Sequence, residues 1–310
     1  MEKKAYIILN PRAAKGKAAR KEQDIEGRLS SRGWKVEIVR TNGPEAGMKL
    51  ARQAFRDGRP CVVAAGGDGT VNEVVDGLYQ EARASGFSHP IPRFGIIPIG
   101  RGNDFAFSAG VPLDTGKACD TLVQGTPRAI DVGIVSGGLY PEGRCFVNGV
   151  GIGFEPLVNF KAMEFKRING MPSYVLGLLK VMARFPKADK LEIEIDGSSR
   201  TVETQQISIC NGRRMGSAFL MGPQAQLDDG LLDVVYSHRV LTPFTALGIV
   251  PLFLTGRQIG HKDFTFQRAR QVRVSAERDT MPVHADGEII SYGCSEIKIE
   301  IAGKRLEIVV

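Results

Sequence analysis

The segment CVVAAGGDGT, residues 61–70, carries the strongest structural signal in the sequence. Its first five residues are apolar or small, which is typical of a strand that is buried on both faces. Three glycines in the next four positions allow φ > 0 and let the backbone approach a neighbouring group closely. Val71–Tyr79 then has the pattern of a helix. A buried strand, a glycine turn and a helix predict one repeat of a layered α/β domain.

The same alternation fills the first part of the chain. The run AYIILN, residues 5–10, is short, apolar and β-prone, and Lys15–Arg32 is charged and rich in alanine, as in a helix. Trp34–Arg40 alternates like a strand, and Glu45–Asp57 again has a helical pattern. Strand, helix, strand, helix predicts an α/β domain with a mainly parallel sheet, which we assign to residues 1–132.

The pattern changes after Asp131 to short alternating runs that are typical of antiparallel strands. Asp-Gly and Asn-Gly dipeptides at residues 196, 211 and 229 separate them as turns. We therefore predict a β-sandwich or barrel domain over residues 133–310, with one helical insertion near Ser173–Phe185. The predicted strands are residues 144–147, 191–195, 205–210, 231–236, 271–275 and 296–301.

Composition limits the class of protein. The chain has 310 residues, of which 43% are hydrophobic and 24% charged, which is typical of a globular protein and long enough for two cores. Its net charge of +7 favours anionic ligands such as nucleotide phosphates, acidic lipid headgroups or nucleic acid. The basic residues are dispersed with few aromatics among them, so nucleic acid is the least favoured of these.

The cysteines and the N-terminal residues indicate the cellular compartment. The five cysteines include no CxxC pair, and the four histidines are scattered, so we expect reduced thiols and no zinc site. Only five apolar residues precede Asn10-Pro11, too few for the core of a signal peptide. We therefore expect a cytoplasmic protein.

The longest apolar run is VLTPFTALGIVPLFLTG, residues 240–256. It is too short to span a membrane, and Pro243 and Pro251 would each kink a helix. A buried helix with proline-marked ends is favoured over a membrane-inserting element.

Two glycine clusters carry the chemical signal. The N–H groups of Gly66–Thr70 can converge on phosphate oxygens at a helix N-terminus. Asp68 would lie poorly against phosphates without a divalent cation, so it is either linked to Mg²⁺ or water, or it caps the helix. A second cluster, PIGRGND at residues 98–104, would face the same crevice if its strand neighbours the first. By itself this second cluster is equally consistent with a turn in which Asn103 or Asp104 caps a helix.

GGDGT followed by Val71-Asn72-Glu73, together with PIGRGND, resembles the bacterial diacylglycerol-kinase-like lipid kinases, which share a catalytic domain with sphingosine and ceramide kinases. Further matches occur in the order of that family. They are Asn10-Pro11 with Lys15-Gly16-Lys17, Thr41 with Glu45-Ala46, NGVGIGFE at residues 148–155, DDGLLD at residues 228–233, and Asp286-Gly287-Glu288.

The resemblance implies an ATP- and Mg²⁺-dependent lipid kinase with an N-terminal nucleotide-binding domain and a C-terminal β-sandwich lipid domain. It makes Glu288 the general base, Asp68 the second catalytic candidate, and Asp229 with the backbone of Gln226 and Leu231 the holder of a structural Mg²⁺. Without the resemblance, Asp286-Gly287-Glu288 predicts only a hairpin turn. The implied ATP-binding residues are Asn10, Pro11, Arg12, Ala13, Ala14, Thr41, Gly66, Gly67, Asp68, Gly69, Thr70, Val71, Asn72, Gly100 and Arg101.

The sequence departs from the family pattern in two places. Ala13-Ala14 stand where the family has Ser-Gly, so the freedom of a glycine is lost in the first loop. Arg101 stands where the family has Thr, so a charged contact to phosphate replaces a hydroxyl contact, or the side chain faces solvent.

The resemblance also implies a lipid substrate at a membrane surface and peripheral membrane association. Tyr174–Phe185 suits an interfacial helix near anionic headgroups, or equally an insertion packed on its own domain. Its basic neighbours are Lys161, Lys166, Arg167, Arg184 and Lys187. An NAD-kinase-like enzyme and a catalytically silent lipid- or nucleotide-binding protein are the alternatives. The acceptor lipid and the oligomeric state, including a homodimer, stay open.

Overall fold

The computed structural model describes residues 3–165, 171–278 and 280–310. The chain divides into two units: residues 1–130 with 304–310, and residues 131–303. The first division lies close to the predicted one at residue 132. The predicted second domain, however, extended to residue 310, whereas the last seven residues belong to the first unit because they form a strand of its sheet.

The first unit is built on one six-stranded sheet. Its strands are β1 (Lys4–Leu9), β2 (Lys35–Arg40), β3 (Cys61–Gly66), β4 (Arg93–Pro98), β5 (Pro127–Ile130) and, close to the C-terminus, β18 (Leu306–Val309). The order across the sheet is β2-β1-β3-β4-β18-β5. All neighbours are parallel except β5, which is antiparallel to β18. The mainly parallel sheet is therefore confirmed, and β3 is buried at every position, as its apolar run predicted.

The described part of this unit has five α-helices: α1 (Lys17–Ser30), α2 (Ala46–Arg56), α3 (Asp68–Ala84), α4 (Asp104–Ala109) and α5 (Thr115–Gln124). The helix after the glycine turn starts at Asp68 and not, as predicted, at Val71. Asp68, Gly69 and Thr70 therefore form the first turn of α3. The difference affects the site, since these residues carry the N–H groups that a helix leaves without intrahelical partners.

The second unit contains two six-stranded antiparallel sheets. One has the order β10-β9-β14-β17-β6-β7 and the other β13-β12-β11-β8-β15-β16. The strands of the first sheet are β6 (Gly133–Gly137), β7 (Tyr140–Phe146), β9 (Asp189–Ile195), β10 (Ser198–Thr204), β14 (Gln271–Ala276) and β17 (Glu296–Ile301). Those of the second are β8 (Gly149–Gly153), β11 (Gln206–Cys210), β12 (Leu232–Ser237), β13 (Phe264–Ala269), β15 (Met281–Ala285) and β16 (Glu288–Cys294).

One apolar core joins the two sheets. Ile193 and Val272 of the first sheet pack in the same cluster as Ile152 and Ile207 of the second. The unit is thus the predicted β-sandwich. Asp196-Gly197 forms the predicted hairpin turn between β9 and β10, with φ of 47° and 85°.

The described part of this unit has three helices, where one insertion was predicted. They are α6 (Phe154–Met163), α7 (Met171–Ala183) and α8 (Pro243–Thr255). The predicted insertion near Ser173–Phe185 corresponds to α7, while Lys166 and Arg167 lie outside the described residues. The expectation that residues 240–256 form a buried helix is correct for one face only, because Phe244 and Leu247 on α8 are exposed. Within the described ranges, no helix has both the length and the apolar character needed to cross a bilayer.

Candidate active site

The two glycine clusters contact each other through their backbones. β3 and β4 are parallel neighbours in which Gly66 is paired with Pro98. The N–H groups of Ile99 and Gly100 both donate to the Gly66 carbonyl, at 2.8 and 3.0 Å. A Cβ on Gly67 would lie 3.2 Å from the Gly100 Cα, and a Cβ on Gly100 would overlap the Gly67 Cα. The two strand-to-helix junctions therefore lie side by side at one edge of the sheet, where the sequence predicts a ligand crevice.

Residues 66 and 67 are glycine because neighbouring groups approach their backbone closely, and not because the turn requires a positive φ. Gly67 has φ of −100° and ψ of −170°, which any residue adopts. At Gly66 a Cβ would overlap the side chain of Thr70. Of the two properties predicted for these glycines, this turn uses close backbone approach, because neither Gly66 nor Gly67 has a positive φ.

The N-terminus of α3 presents its first turn to this crevice. Gly67 is the N-cap residue, and no described side chain caps the helix there. Asp68 Oδ1 accepts a hydrogen bond from the Phe105 N–H, at 3.2 Å. The predicted link of Asp68 to a cation stays a prediction. Because Phe105 lies in the first turn of α4, Asp68 ties the two glycine clusters together.

The first predicted nucleotide loop lies beside this turn. Asn10 donates through Nδ2 to Thr70 Oγ1 at 3.1 Å, and its own Oδ1 accepts from the Arg12 N–H at 3.0 Å. Ala14 has φ of 49°, the left-handed region in which glycine is favoured. Ala14, where the family has glycine, therefore adopts a backbone conformation that favours glycine, at a cost in strain.

The second predicted loop joins the same edge of the sheet. Thr41 follows β2 and donates its N–H to the Leu9 carbonyl at 2.9 Å. Glu73 of α3 accepts hydrogen bonds from the N–H groups of Glu45, at 2.9 Å, and Gly47, at 2.8 Å. Glu73 thus holds the N-terminus of α2, a role that sequence reasoning missed because its partners are 26 and 28 residues away.

The predicted nucleotide residues share one place in the topology. Gly66 is the last residue of β3, and Asn10, Thr41 and Gly100 follow β1, β2 and β4. These four parallel strands are neighbours in the sheet. Open α/β sheets bind ligands at this edge. Arg101 is exposed beside it.

The second unit holds the predicted base. Asp286-Gly287 is the turn between β15 and β16, with φ of 49° and 87°, and Glu288 is the first residue of β16. The hairpin interpretation is therefore correct, and it leaves Glu288 half-buried immediately after the turn.

Asp286 connects two of the family motifs. Its carboxylate accepts hydrogen bonds from the N–H groups of Val147, Asn148 and Gly149, at 2.8, 2.9 and 3.0 Å. Sequence reasoning quoted both motifs but gave Asp286 no role. The structure shows that Asp286 fixes NGVG against the turn that carries Glu288.

A polar network extends from the same turn into the sheet. Gly287 donates its N–H to His284 Nδ1 at 3.3 Å, which places the proton of a neutral ring on Nε2. That Nε2 lies 3.3 Å from Glu155 Oε1, while Glu155 Oε2 accepts from Ser208 Oγ at 3.1 Å. Buried His284 therefore links the turn to Glu155 of the NGVGIGFE motif.

The predicted Mg²⁺ site lies in the loop before β12. Asp229 Oδ1 accepts from the Leu231 N–H at 3.0 Å, and Oδ2 lies 3.9 Å from Arg268 Nη1. Burial raises the pKa of nearby Asp233 to about 6, and the charge of Asp229 adds to the effect while Arg268 opposes it. Across the described residues no three His, Cys, Asp or Glu side chains converge on one point. One carboxylate and two backbone carbonyls would fit a mainly hydrated Mg²⁺.

Comparisons with known proteins identify the family. Residues 4–135 match the diacylglycerol kinase catalytic domain, and residues 148–310 match the YegS C-terminal NAD kinase beta sandwich-like domain. A probable lipid kinase YegS-like protein of Chromohalobacter salexigens is 33% identical over 244 residues, 78% of this chain and 72% of that protein. The chain belongs to the diacylglycerol-kinase-like lipid kinases. The resemblance inferred from the motifs is thereby confirmed.

Other family members match over more of the chain. The diacylglycerol kinase of Bacillus subtilis is 27% identical over 289 residues, 92% of this chain and 90% of that protein. Among solved structures, a diacylglycerol kinase from Bacillus anthracis has a TM-score of 0.70 at 19% identity and covers 99% of this chain and 96% of its own. An NAD kinase from Archaeoglobus fulgidus has a TM-score of 0.51 at 13% identity, with 99% and 93% covered. These two structures support the two-domain fold alone.

Proposed function

We propose that this lipid kinase family member transfers the γ-phosphoryl group of ATP to a hydroxyl group of a lipid such as diacylglycerol. The observation that carries the proposal is the backbone contact between Gly67 and Gly100 at the N-terminus of α3. No side chain separates the two junctions at this point, so phosphate oxygens can reach the N–H groups of the turn.

The nucleotide would be held by backbone dipoles and by a fixed loop. The N-terminus of α3, a helix of 17 residues, favours negative charge. Asn10 and Thr70 hold the first loop against this helix, and Glu73 holds the second. Catalysis of phosphoryl transfer depends mainly on positioning and on charge neutralisation, which such a rigid cradle provides.

Glu288 is proposed as the general base. Its carboxylate would take the proton of the lipid hydroxyl while that oxygen forms a bond to the γ-phosphorus. The bond from the γ-phosphorus to the bridging oxygen of ADP breaks, and ADP leaves. The turn that carries Glu288 is held by the three hydrogen bonds of Asp286, which supports a fixed position for the base.

Mg²⁺ is proposed in two roles. Bound with ATP, it would supply positive charge to the phosphates. A second ion would be held by Asp229 and the backbone carbonyls of Gln226 and Leu231. Asp229 is only half-buried, so water and an ion can approach its carboxylate.

Because the proposed acceptor is a lipid, the enzyme would act at a membrane surface. Val175 and Leu179 are exposed on α7, one helical turn apart, as the prediction of an interfacial helix requires. The five cysteines are free and buried, which supports a cytoplasmic location. Peripheral association with the membrane is proposed from the lipid acceptor.

An NAD-kinase-like activity is the second candidate. The likeness of the second unit to an NAD kinase β-sandwich favours it. Val71-Asn72-Glu73 directly after GGDGT favours the lipid acceptor instead. NAD⁺ therefore belongs in the substrate panel.

The test uses the purified protein with Mg²⁺ and ATP labelled with ³²P at the γ-phosphate. Diacylglycerol, phosphatidylglycerol and a sphingoid base are supplied in mixed micelles, NAD⁺ in solution, and products are separated by thin-layer chromatography. Glu288→Gln should lower kcat by about 10²–10⁴-fold and leave ATP affinity unchanged, because the amide is a much weaker base. Glu296→Gln, an exposed glutamate at the start of β17, is the matched control.

Several outcomes would contradict the proposal. Label in NADP⁺ and in no lipid would favour the second candidate. ATP binding without any phosphorylated product would indicate a silent binding protein. A Glu288→Gln protein that keeps most of its kcat would leave Asp68 as the candidate base.

A further inference from the structure

Helix α8 carries an apolar stripe on the side opposite its packed face. Phe244, Leu247, Pro251 and Leu254 recur at intervals of three and four residues and are all exposed, and Val240 precedes them in the loop. The exposed fractions are 87% for Phe244, 50% for Leu247 and 47% for Leu254. We call these five residues the α8 face.

The other side of α8 packs against its own unit. Ala246, Ile249 and Phe253 are buried, and Ile249 and Phe253 pack against Met215 and Met221. A Thr242 capping box starts the helix, and Gly256 with φ of 74° ends it. The helix is therefore held in place by its inner side, and the α8 face contributes nothing to the core.

The charge around the α8 face has one sign. No Asp, Glu, Lys or Arg occurs between Val240 and Gly256. Arg239 stands immediately before this segment, Arg257 immediately after it and Lys262 five residues further on, and all three are exposed. From residue 238 to residue 262 the chain has no acidic residue. Asp263 follows, and its carboxylate is largely shielded and lies 3.6 Å from Arg239.

An uncharged apolar stripe followed at its C-terminal end by two exposed cations, Arg257 and Lys262, matches one surface in particular. Apolar side chains enter the boundary between headgroups and acyl chains, while Arg and Lys at the C-terminal end of the helix remain among anionic phosphates. The exposed residues of α7 are less suitable, because Glu164 lies there 2.6 Å from Lys161 and 3.2 Å from Lys180, and its carboxylate offsets part of their positive charge. A helix of 13 residues that contains Pro251 can lie in this boundary but cannot span the bilayer.

We propose that the α8 face docks the protein on the surface of an anionic lipid bilayer. The proposal rests on the proposed function, in which the acceptor is a membrane lipid, and it assigns the contact to α8 and to Arg257 and Lys262. Docking would place the enzyme where its lipid substrate is, without a membrane-spanning segment.

The experiment measures co-sedimentation of the full chain with vesicles. The vesicles are phosphatidylcholine alone or phosphatidylcholine with 30–40% phosphatidylglycerol, a roughly physiological range of anionic charge. Phe244→Asp with Leu247→Asp should weaken binding to the anionic vesicles at least tenfold, since two apolar contacts are lost and two negative charges are added. Arg257→Gln and Lys262→Gln should each weaken it by about fivefold, and only on anionic vesicles.

Leu113→Asp is the matched control, because Leu113 is 49% exposed and lies in the first unit. It should bind vesicles as the parent does. Kinase activity toward a short-chain diacylglycerol dispersed as monomers should be the same in all variants, since none of these residues belongs to the nucleotide cradle or to the Glu288 turn. Unchanged melting temperatures would show that each variant is folded.

Binding of the Phe244→Asp/Leu247→Asp variant at parental strength would overturn the proposal. So would a parent that is dimeric by light scattering and becomes monomeric in that variant, because the α8 face would then bind a second copy of the chain. Failure of the proposed function looks different: no lipid is phosphorylated by the parent, while the effect of the α8 substitutions on vesicle binding persists.

Discussion

The carboxylate of Glu73 accepts the backbone N–H of Gly47 at 2.8 Å, and through this hydrogen bond α3 holds the N-terminus of α2. Glu45, which has φ of 59°, donates its N–H to the other oxygen of the same carboxylate. The helix that follows the glycine turn thereby positions the loop after β2. The glutamate after GGDGTVN acts on the loop that contains Thr41 and is no part of the phosphate turn itself.

Glu73→Ala should therefore weaken ATP binding severalfold and lower the melting temperature. Two backbone N–H groups lose a charged acceptor, and one such hydrogen bond typically contributes about 1.5–3 kcal/mol. Glu73→Gln, which keeps one acceptor oxygen in place, should have a smaller effect. Titration calorimetry with ATP and thermal unfolding measure both quantities.

The control for Glu73 is Glu81→Gln on the same helix. Glu81 accepts two hydrogen bonds from Arg56, at 2.7 and 2.9 Å, and that arginine is well exposed. Glu81→Gln keeps one acceptor oxygen for Arg56. A surface pair of this kind contributes about 0–1 kcal/mol, so stability should barely change. Equal losses in the Glu73 and Glu81 variants would contradict the positioning role.

Gly100→Ala should separate the two glycine clusters. The new Cβ would overlap the Cα of Gly67, and backbone cannot move aside as a flexible side chain can. We expect a loss of ATP affinity of at least tenfold together with lower stability. Gly27→Ala is the matched control, since its Cβ would meet nothing within 4 Å and α1 should gain about 0.5–1 kcal/mol. Unchanged ATP affinity in a folded Gly100→Ala protein would show that the contact is not needed for binding.

Asp286→Ala should destabilise the second unit by about 2–4 kcal/mol. Three backbone N–H groups would lose their acceptor in a part-buried place where water does not readily replace it. Asp286→Asn should lower the free energy of unfolding by less, because asparagine tolerates φ > 0 and keeps one acceptor oxygen. Asp196→Ala is the control: Asp196 also has a positive φ in an Asp-Gly turn and accepts from Arg270 and Gln271, but it is exposed. Urea unfolding, monitored by circular dichroism, measures the free energy of unfolding of the three variants.

Asp229→Ala should remove the response of stability to Mg²⁺. If Asp229 holds an ion in the folded state only, Mg²⁺ raises the melting temperature of the parent by mass action. The variant should melt at the same temperature with and without Mg²⁺, whereas Asp196→Ala should respond as the parent does. A parental response in the Asp229 variant would exclude this residue as a ligand.

The cysteines should be unreactive in the folded protein. All five are buried, and burial raises the pKa of Cys61 and of Cys119 to about 11. Because these pKa values lie above the ordinary thiol value, the reactive thiolate is scarce at pH 8 and becomes abundant only near pH 11. A thiol reagent at pH 8 should label five groups per chain within minutes in guanidinium and far more slowly in buffer. Rapid labelling of the native protein would show that a thiol is accessible.

Much of the architecture could be predicted from local patterns. The apolar run before GGDGT, the alternation of strands and helices and the Asp-Gly turn at residue 196 all depend on neighbours within a few positions. Each formed the predicted element, and the two halves of the chain have the predicted fold classes. Element ends were less predictable, since α3 begins three residues before the first residue of the predicted helix.

Contacts between distant residues account for the rest. Position 67 requires a glycine because Gly100 lies against it. Asp68 accepts a hydrogen bond from the first turn of α4. Glu73 and Asp286 accept hydrogen bonds from backbone N–H groups of other loops. The strand at residues 306–309 joins the first sheet, and only one side of α8 is covered. Composition and spacing specify which segments can be strands, helices and turns, because those preferences are local. Which carboxylate meets which N–H group, and which apolar face is left uncovered, depends on how the segments pack, and that information appears only when the chain is folded.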